Sequence, residues 1–292
     1  MDNWLIIGRY PSFKQLLYSL LYKTLSNFTR IEKLQSIELK KSHLYKDRNN
    51  SKILYISGVA QQLAKSHNCT AMDVANTLGY RLLATSGDVF RVKIVPPGWI
   101  YLELTPPSVA SWLNNLAMSG VGQPEQIGTE EITPKLNKYN SPNIFSVQYA
   151  HARCCSLILL GHREGLIKLR ESLPDTSPAF WQLLSQEPIP WLNHDNQLCL
   201  HHLAERDLLA QLVQVMDDLG CSDMGDAINW EKTALKLSQV LENFWCQCRI
   251  WGDVKINSPY LAQARLGLVI ITQNLLRFLL VEKLGVTAPW EL

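Results

Sequence analysis

Apolar residues recur every three or four positions in two stretches near the start of the chain, and this spacing predicts α-helices. The first stretch is Ser12–Phe28, with Ser12 as its N-cap. The second begins at Thr70 or Ala71 and runs to Ala84. Between them, residues 53–67 predict a short strand or turn followed by a helix. The start of the chain is therefore mainly helical.

The apolar period changes to two within residues 91–105, where apolar and polar residues alternate on both sides of Pro96-Pro97-Gly98. This pattern predicts two strands joined by a tight turn. A helix from Ser108, its N-cap, to Met118 follows. Residues 1–118 thus predict a small α+β domain, and residues 119–142, rich in Gly, Pro and polar side chains, predict a linker.

Residues 143–292 return to helical spacing throughout. Pro punctuates residues 174–194, which predict a loop with a short helix. The remaining pattern predicts an all-α helical bundle. Its four main helices are Ser146–Leu160, Glu205–Leu219, a helix capped by Asn229 and running to about Arg249, and a helix from Ser258-Pro259 to Gly285.

Charge is unevenly distributed between the two ends of the chain. Residues 1–52 hold ten Lys or Arg against four Asp or Glu, a net of +6, whereas residues 143–292 hold twelve against sixteen, a net of −4. The composition as a whole, 47% hydrophobic and 18% charged, is typical of a soluble globular protein of two domains. This distribution is compatible with nucleic acid contacting only part of the surface.

Cysteine usage and hydropathy indicate where in the cell the protein is located. Seven cysteines, an odd count without a recognisable leader, predict reduced thiols and a cytoplasmic location. The longest apolar run, Leu275–Val281, is interrupted by Arg277, so we expect no transmembrane span and no membrane partner.

The residues predict no metal, no cofactor and no catalytic acid–base pair. Only His194, Cys199, His201 and His202 cluster, and their spacing fits no standard zinc site. G-x-G-x-x-G, G-x-x-x-x-G-K-[ST] and G-x-S-x-G motifs are absent from the sequence.

Five motifs in the second half, in matching order and spacing, resemble the C-terminal DALR-type anticodon-binding domain of arginyl-tRNA synthetases. The first is Q-Y-A-H-A-R at Gln148–Arg153. The others are E-R-D-L-L from Glu205, F-W-x-x-C-x-I from Phe244, R-L-G-L from Arg265, and L-G-V-T-A-P from Leu284. In the first half, Gln62–Lys65, Asp73–Ala75 and Val95–Leu104 resemble that family's additional N-terminal domain.

The catalytic middle of that family has no counterpart in this sequence. No H-x-G-H or K-M-S-K-S-like pair is present, and 24 linker residues cannot hold an adenylating domain. We therefore expect no aminoacylation by this chain alone, even though homology would label it an arginine–tRNA ligase.

The resemblance implies which residues would contact RNA in the bundle. The family's anticodon-loop positions correspond to Trp245, which would stack on a base, and Arg249, which would stack or contact phosphate. Tyr149 and Arg153, on the first bundle helix, are further candidates. The alternative is that Trp245 and Tyr149 pack in the bundle and that both arginines are solvated surface cations.

In the first half, the family's D-loop-reading segment corresponds to residues 53–58, where only Tyr55 matches. Lys52 belongs to a basic segment that could hold RNA backbone by counterion release, or could be an ordinary solvated loop. That segment contains Lys40, Lys41, Lys46, Arg48 and Lys52.

Three functions are compatible with these features. The chain could be a non-catalytic protein that binds the anticodon stem-loop of tRNA. It could be an interaction or scaffold protein that kept the fold and lost RNA binding. It could also be the RNA-binding subunit of a ligase complex with a catalytic protein partner.

Overall fold

The computed structural model describes residues 11–31, 44–67, 69–120, 142–169, 183, 188–222 and 227–292. These residues divide into two units, one of 1–109 with 216–226 and the other of 110–215 with 227–292. The expected domain boundaries at residues 118 and 143 stay a prediction. Nearly all of the expected linker lies outside the described residues.

The first unit contains three helices, and hydroxyl caps set the starts of two of them. The three helices are α1 (Phe13–Ile31), α2 (Val59–His67) and α3 (Ala71–Ser86). Ser12 Oγ accepts a hydrogen bond from Gln15 N at 3.1 Å, and Thr70 Oγ1 accepts one from Asp73 N at 3.2 Å. Each hydroxyl satisfies a backbone N–H that has no partner within its helix. The predicted N-cap of the first helix is confirmed.

A four-stranded antiparallel sheet completes the first unit. Its strands are β1 (Leu44–Lys46), β2 (Leu54–Ser57), β3 (Phe90–Val95) and β4 (Trp99–Leu104), in the order β1-β2-β4-β3. Helices α2 and α3 pack against β4 and β3. Gly98 makes the predicted turn between β3 and β4. Its φ of +119° is a backbone conformation that residues with a Cβ rarely adopt.

The helix after the sheet, α4 (Pro106–Ser119), begins two residues earlier than its sequence predicts. Ser108 was the expected N-cap, but it lies inside the helix, where its Oγ is 2.9 Å from Thr105 Oγ1. Thr105 is the flanking residue, and its carbonyl accepts the N–H of Val109 at 3.1 Å. Proline at the first helical position needs no N–H partner, which explains the earlier start.

The second unit is helical. It contains α5 (Pro142–Arg163), α6 (Leu203–Gly220, whose last residues belong to the first unit), α7 (Trp230–Gln247), the short α8 (Asp253–Asn257) and α9 (Pro259–Phe278). Helix α5 packs against α7 and α9. The four predicted main helices are confirmed, and the Asn229 side chain caps α7 by accepting from Lys232 N at 2.9 Å. Most of the expected loop at 174–194 lies outside the described residues.

Helix α9 continues as a π-helical turn, Leu279–Lys283, and the chain leaves the helix at Gly285, as predicted. The continuous segment Pro259–Lys283 is long and apolar enough to cross a membrane, with a mean hydropathy of 1.5 over its most apolar window. The sequence predicted no span because the run Leu275–Val281 is short and interrupted by Arg277, whereas the helical segment that contains this run is 25 residues long. However, 78% of that window is buried within the fold, as in the core helix of a soluble protein.

Candidate nucleic-acid interface

The two residues expected at an anticodon loop lie at the C-terminal end of α7. Trp245 is half-buried in the last helical turn, and Arg249 is exposed. The helix ends at Gln247 instead of continuing to about Arg249, and Cys248 has an extended backbone (φ −113°, ψ 94°). Trp245 and Arg249 therefore do not share a helical face, although their spacing of four residues predicts one.

A buried ion pair holds the backbone at Arg249. Arg265 Nε donates to Glu205 Oε1 at 2.6 Å, and Arg265 Nη1 donates to the Arg249 carbonyl at 2.5 Å. Glu205 is 1% exposed and Arg265 is 9% exposed. The other Glu205 oxygen accepts the His202 N–H at 2.8 Å, as in a capping box at the start of α6. One guanidinium thus connects α9, α6 and the segment after α7.

His202 connects two of these segments, the start of α6 and the residue that follows α7. Its Nδ1 accepts the Ala204 N–H at 3.2 Å, and Cys248 Sγ lies 3.4 Å from the same nitrogen. Burial raises the pKa of the Cys248 thiol to about 11, so the thiol stays protonated. It can therefore donate a hydrogen bond to the ring nitrogen. Among the described residues, no group of three or more His, Cys, Asp or Glu could hold a metal ion.

The outer surface at this end combines a cation with apolar side chains. Within the part of the chain that the structure describes, the Arg249 guanidinium makes no ion pair. Leu203 is 61% exposed at the start of α6, and Tyr260 is 69% exposed at the start of α9. An exposed aromatic ring and an unpaired cation are groups that unstacked bases and their phosphates can use.

The second pair of candidates, Tyr149 and Arg153, lies farther along the bundle. Phe145, Tyr149 and Arg153 form an exposed stripe on α5. Gly161, twelve residues after Tyr149, packs against Leu266, the neighbour of Arg265. At 1.5 Å per residue, Tyr149 and Arg153 lie about 18 Å and about 12 Å from Gly161 along the axis of α5.

The inner face of α5 holds the C-terminal segment. Gln148 Nε2 donates to the Thr287 carbonyl at 2.8 Å. His151 Nδ1 donates to the Pro289 carbonyl at 2.8 Å, and its Nε2 accepts from Gln273 at 3.0 Å. Burial lowers the pKa of His151, and this pattern requires a neutral ring with its proton on Nδ1. The Q-Y-A-H-A-R motif therefore fixes the C-terminal segment with Gln148 and His151.

Tyr55 is fully buried in the first unit. Its hydroxyl donates to Asp217 Oδ2 at 2.5 Å, while Asp217 Oδ1 accepts from Ser12 Oγ and from Lys14 N, both at 2.9 Å. Burial is the main reason that the pKa values of both Tyr55 and Asp217 are raised. Because its ring has no exposed face, Tyr55 stabilises the core and has no surface on which a base could stack.

Lys52 is exposed, but its ammonium group already has an acidic partner. Lys52 Nζ lies 2.9 Å from one Glu103 oxygen and 3.1 Å from the other. Arg91 approaches the same carboxylate at 4.0 Å. Contacting a phosphate would therefore mean competing with this ion pair. Lys40 and Lys41 of the same basic segment lie outside the described residues.

Sequence reasoning did not assign a role to Glu205 or Arg265, although both lie in quoted motifs. The signal was present, because each charged residue is followed by leucines within an apolar helical pattern. A charge at a core position requires a partner. Pairing two such residues across 60 positions needs the tertiary structure.

The chain is similar to part of several arginine–tRNA ligases. It is 31% identical to that of Moorella thermoacetica over 147 residues, which cover 50% of this chain and 22% of the ligase. Identity to the ligase of a Synechococcus species is 28% over 152 residues, 52% of this chain and 22% of that protein. For Symbiobacterium thermophilum it is 29% over 147 residues, 50% of this chain and 22% of the ligase. No protein-family profile and no solved structure matches the chain.

The matched region spans about a fifth of the length of these curated relatives. The chain is thus similar to a portion of arginine–tRNA ligase over about half of its own length.

Proposed function

We propose that this chain is a non-catalytic tRNA-binding protein whose helical unit is an anticodon-binding domain of the DALR type. Similarity to part of arginine–tRNA ligases supports tRNA as the partner. The 292 residues carry no adenylation motif, so the proposed activity is binding without chemistry.

One observation carries the proposal: the exposed Arg249 side chain extends from a backbone that a buried ion pair holds next to Trp245. A fixed backbone lowers the entropy that binding must remove, while the guanidinium remains available to phosphate or to a base. The half-buried Trp245 ring can present one face for stacking. Both residue types are common where single-stranded RNA is bound.

The test is binding of unfractionated tRNA over a range of salt concentrations. We expect an affinity that falls as salt rises, with each phosphate contact contributing about −0.7 to −0.9 to the log–log slope. Trp245→Ala should weaken binding by roughly 5- to 150-fold, the range for loss of about 1–3 kcal/mol of stacking. Arg249→Ala should also weaken binding and make the slope shallower.

Lys236→Ala is the matched control, because Lys236 is an exposed cation on α7, thirteen residues before Arg249. It should leave the affinity within about twofold, as expected for a surface change outside the site. The absence of tRNA binding by the parent protein at about 50 mM salt would rule the proposal out.

Two other functions are favoured by specific observations. The net charge of −4 on residues 143–292 favours an interaction protein that has lost RNA binding. The match to only 22% of each ligase favours an RNA-binding subunit of a ligase complex. The absence of tRNA binding would support the interaction protein. The subunit would be supported if arginine-dependent ATP–pyrophosphate exchange required a co-purified chain.

A further inference from the structure

We infer that the buried Glu205–Arg265 pair is the positioning element of the proposed RNA site, setting where Arg249 presents its side chain. This inference rests on the proposed function. It assigns Glu205 and Arg265 no direct contact with RNA, because the two residues are 1% and 9% exposed.

The geometry of Arg265 is specific to this role. Its guanidinium uses Nε for Glu205 and Nη1 for the Arg249 carbonyl, at 2.6 and 2.5 Å. These two donors are rigidly linked, so fixing one bond fixes the direction of the other. Glu205 is itself fixed by the His202 N–H at 2.8 Å. The position of the Arg249 backbone is therefore set through Arg265 by the start of α6.

Arg249 needs such a support because its helix has already ended. Cys248 N still bonds to the Phe244 carbonyl at 2.8 Å, but the backbone at Cys248 is extended. Beyond this point the regular helical ladder no longer determines where the chain goes. The Arg265 donor is the contact that replaces the ladder at the residue expected to contact RNA.

A charge pair is a costly way to fill a core, since well-packed apolar residues often stabilise a protein as well or better. Stability alone therefore does not explain Glu205 and Arg265 at this place. Two features are ones that an apolar pair could not supply: the acceptor for the His202 N–H and the donor aimed at the Arg249 carbonyl. The second lies beside the proposed binding surface.

The experiment is a thermodynamic cycle on tRNA affinity between the pair and Arg249. The double variant Glu205→Leu with Arg265→Met removes both charges together, so it leaves no unpaired buried charge and should fold. We expect it to weaken tRNA binding by about tenfold in the parent background, well within the range for residues in contact. In an Arg249→Ala background the same change should cost less than about twofold.

Two further variants separate positioning from general stability. Arg265→Lys keeps the charge but cannot make both bonds in the same fork, so it should also weaken binding in a manner that depends on Arg249. Leu275→Ala creates a core cavity ten residues farther along α9, about 15 Å away, and should lower thermal stability without changing the affinity of the folded protein.

Equal losses of affinity in the presence and absence of Arg249 would overturn the positioning role while leaving the proposed function intact. If the parent protein binds no tRNA, the proposed function fails first. Amide hydrogen exchange then still decides the positioning role. Exchange at residues 249–250 should accelerate in the Glu205→Leu, Arg265→Met variant, and unchanged exchange there would contradict it.

Discussion

The candidate RNA-binding residues of the two units differ in their solvent exposure and in their pairing. In the helical unit, Arg249 extends into solvent while its backbone is held from behind by Arg265. In the α+β unit, Tyr55 is fully buried against Asp217, and Lys52 is paired with Glu103. The polar groups of the first unit thus satisfy one another, whereas Arg249 remains available to a ligand.

This difference shows that a resemblance at the level of motifs does not fix which side chains reach solvent. Tyr55 was selected because it matches one position of a family segment, yet its register in the sheet places it opposite Leu102, on the buried face of β4. Because side chains alternate between the faces of a strand, the pairing of β2 with β4 determines that the Tyr55 side chain is buried.

The largest effect is expected from removing Asp217, the buried hydrogen-bond acceptor in the first unit. Asp217→Ala leaves the Tyr55 hydroxyl, the Ser12 hydroxyl and the Lys14 N–H without their acceptor in a buried place. We expect a loss of about 3 kcal/mol in the free energy of unfolding, measured by denaturant titration. Tyr55→Phe removes only one partner and should cost about 1 kcal/mol.

Both variants should bind tRNA as tightly as the parent protein once corrected for the unfolded fraction. A large loss of affinity in folded Tyr55→Phe would show that the hydroxyl is part of an RNA surface after all. It would also remove the contrast between the two units.

A smaller effect is expected from protonation of His151, whose ring bonds to the Pro289 carbonyl and to Gln273. The pKa of His151 is lowered in the folded state because the ring is buried, and Arg277 lowers it further. The unfolded chain therefore binds more protons at a pH below the usual histidine value of about 6.5, and the stability from this group is lost as pH falls below that value. The slope can reach at most about 1.4 kcal/mol per pH unit for one group.

His151→Gln should flatten this slope, measured as the free energy of unfolding at several pH values between about 7 and 5. His201→Gln is the control, because His201 is exposed at the start of α6. An unchanged slope in His151→Gln would show that the ring is not held neutral by its burial.

The smallest effect is expected at Lys52. Lys52→Ala removes a cation that is 60% exposed and already paired with Glu103. Because the ammonium group of Lys52 is already paired with Glu103, it adds little attraction for phosphate, so we expect less than about a twofold change in tRNA affinity and little change in the salt slope. A loss as large as that of Arg249→Ala would mean that the first unit shares the RNA site.

Much of the fold follows from the sequence because its signals are local. Ser12, Asn229 and Gly285 mark helix ends by the chemistry of caps and of positive φ, and each was identified from sequence. Strand β1 was missed because three residues in a basic segment are too few to show alternation. The early end of α7 was also missed, since nothing before Cys248 breaks the helical pattern.

The candidate site depends on contacts that are distant in sequence, so less of it could be predicted. Trp245 and Arg249 came from resemblance, but the bond from Arg265 to the Arg249 carbonyl spans 16 residues and is invisible to any local pattern. Likewise, Gln148 and His151 were recognised as part of a motif, whereas their hold on Thr287 and Pro289 needed the fold.

Ultraviolet cross-linking of bound tRNA, with the modified peptides mapped by mass spectrometry, tests directly whether RNA binds at Trp245 and Arg249. We expect cross-links on the peptides that carry these two residues, and their loss in the Trp245→Ala variant. Cross-links confined to the first unit, or none on the Trp245 and Arg249 peptides under saturating tRNA, would contradict this expectation.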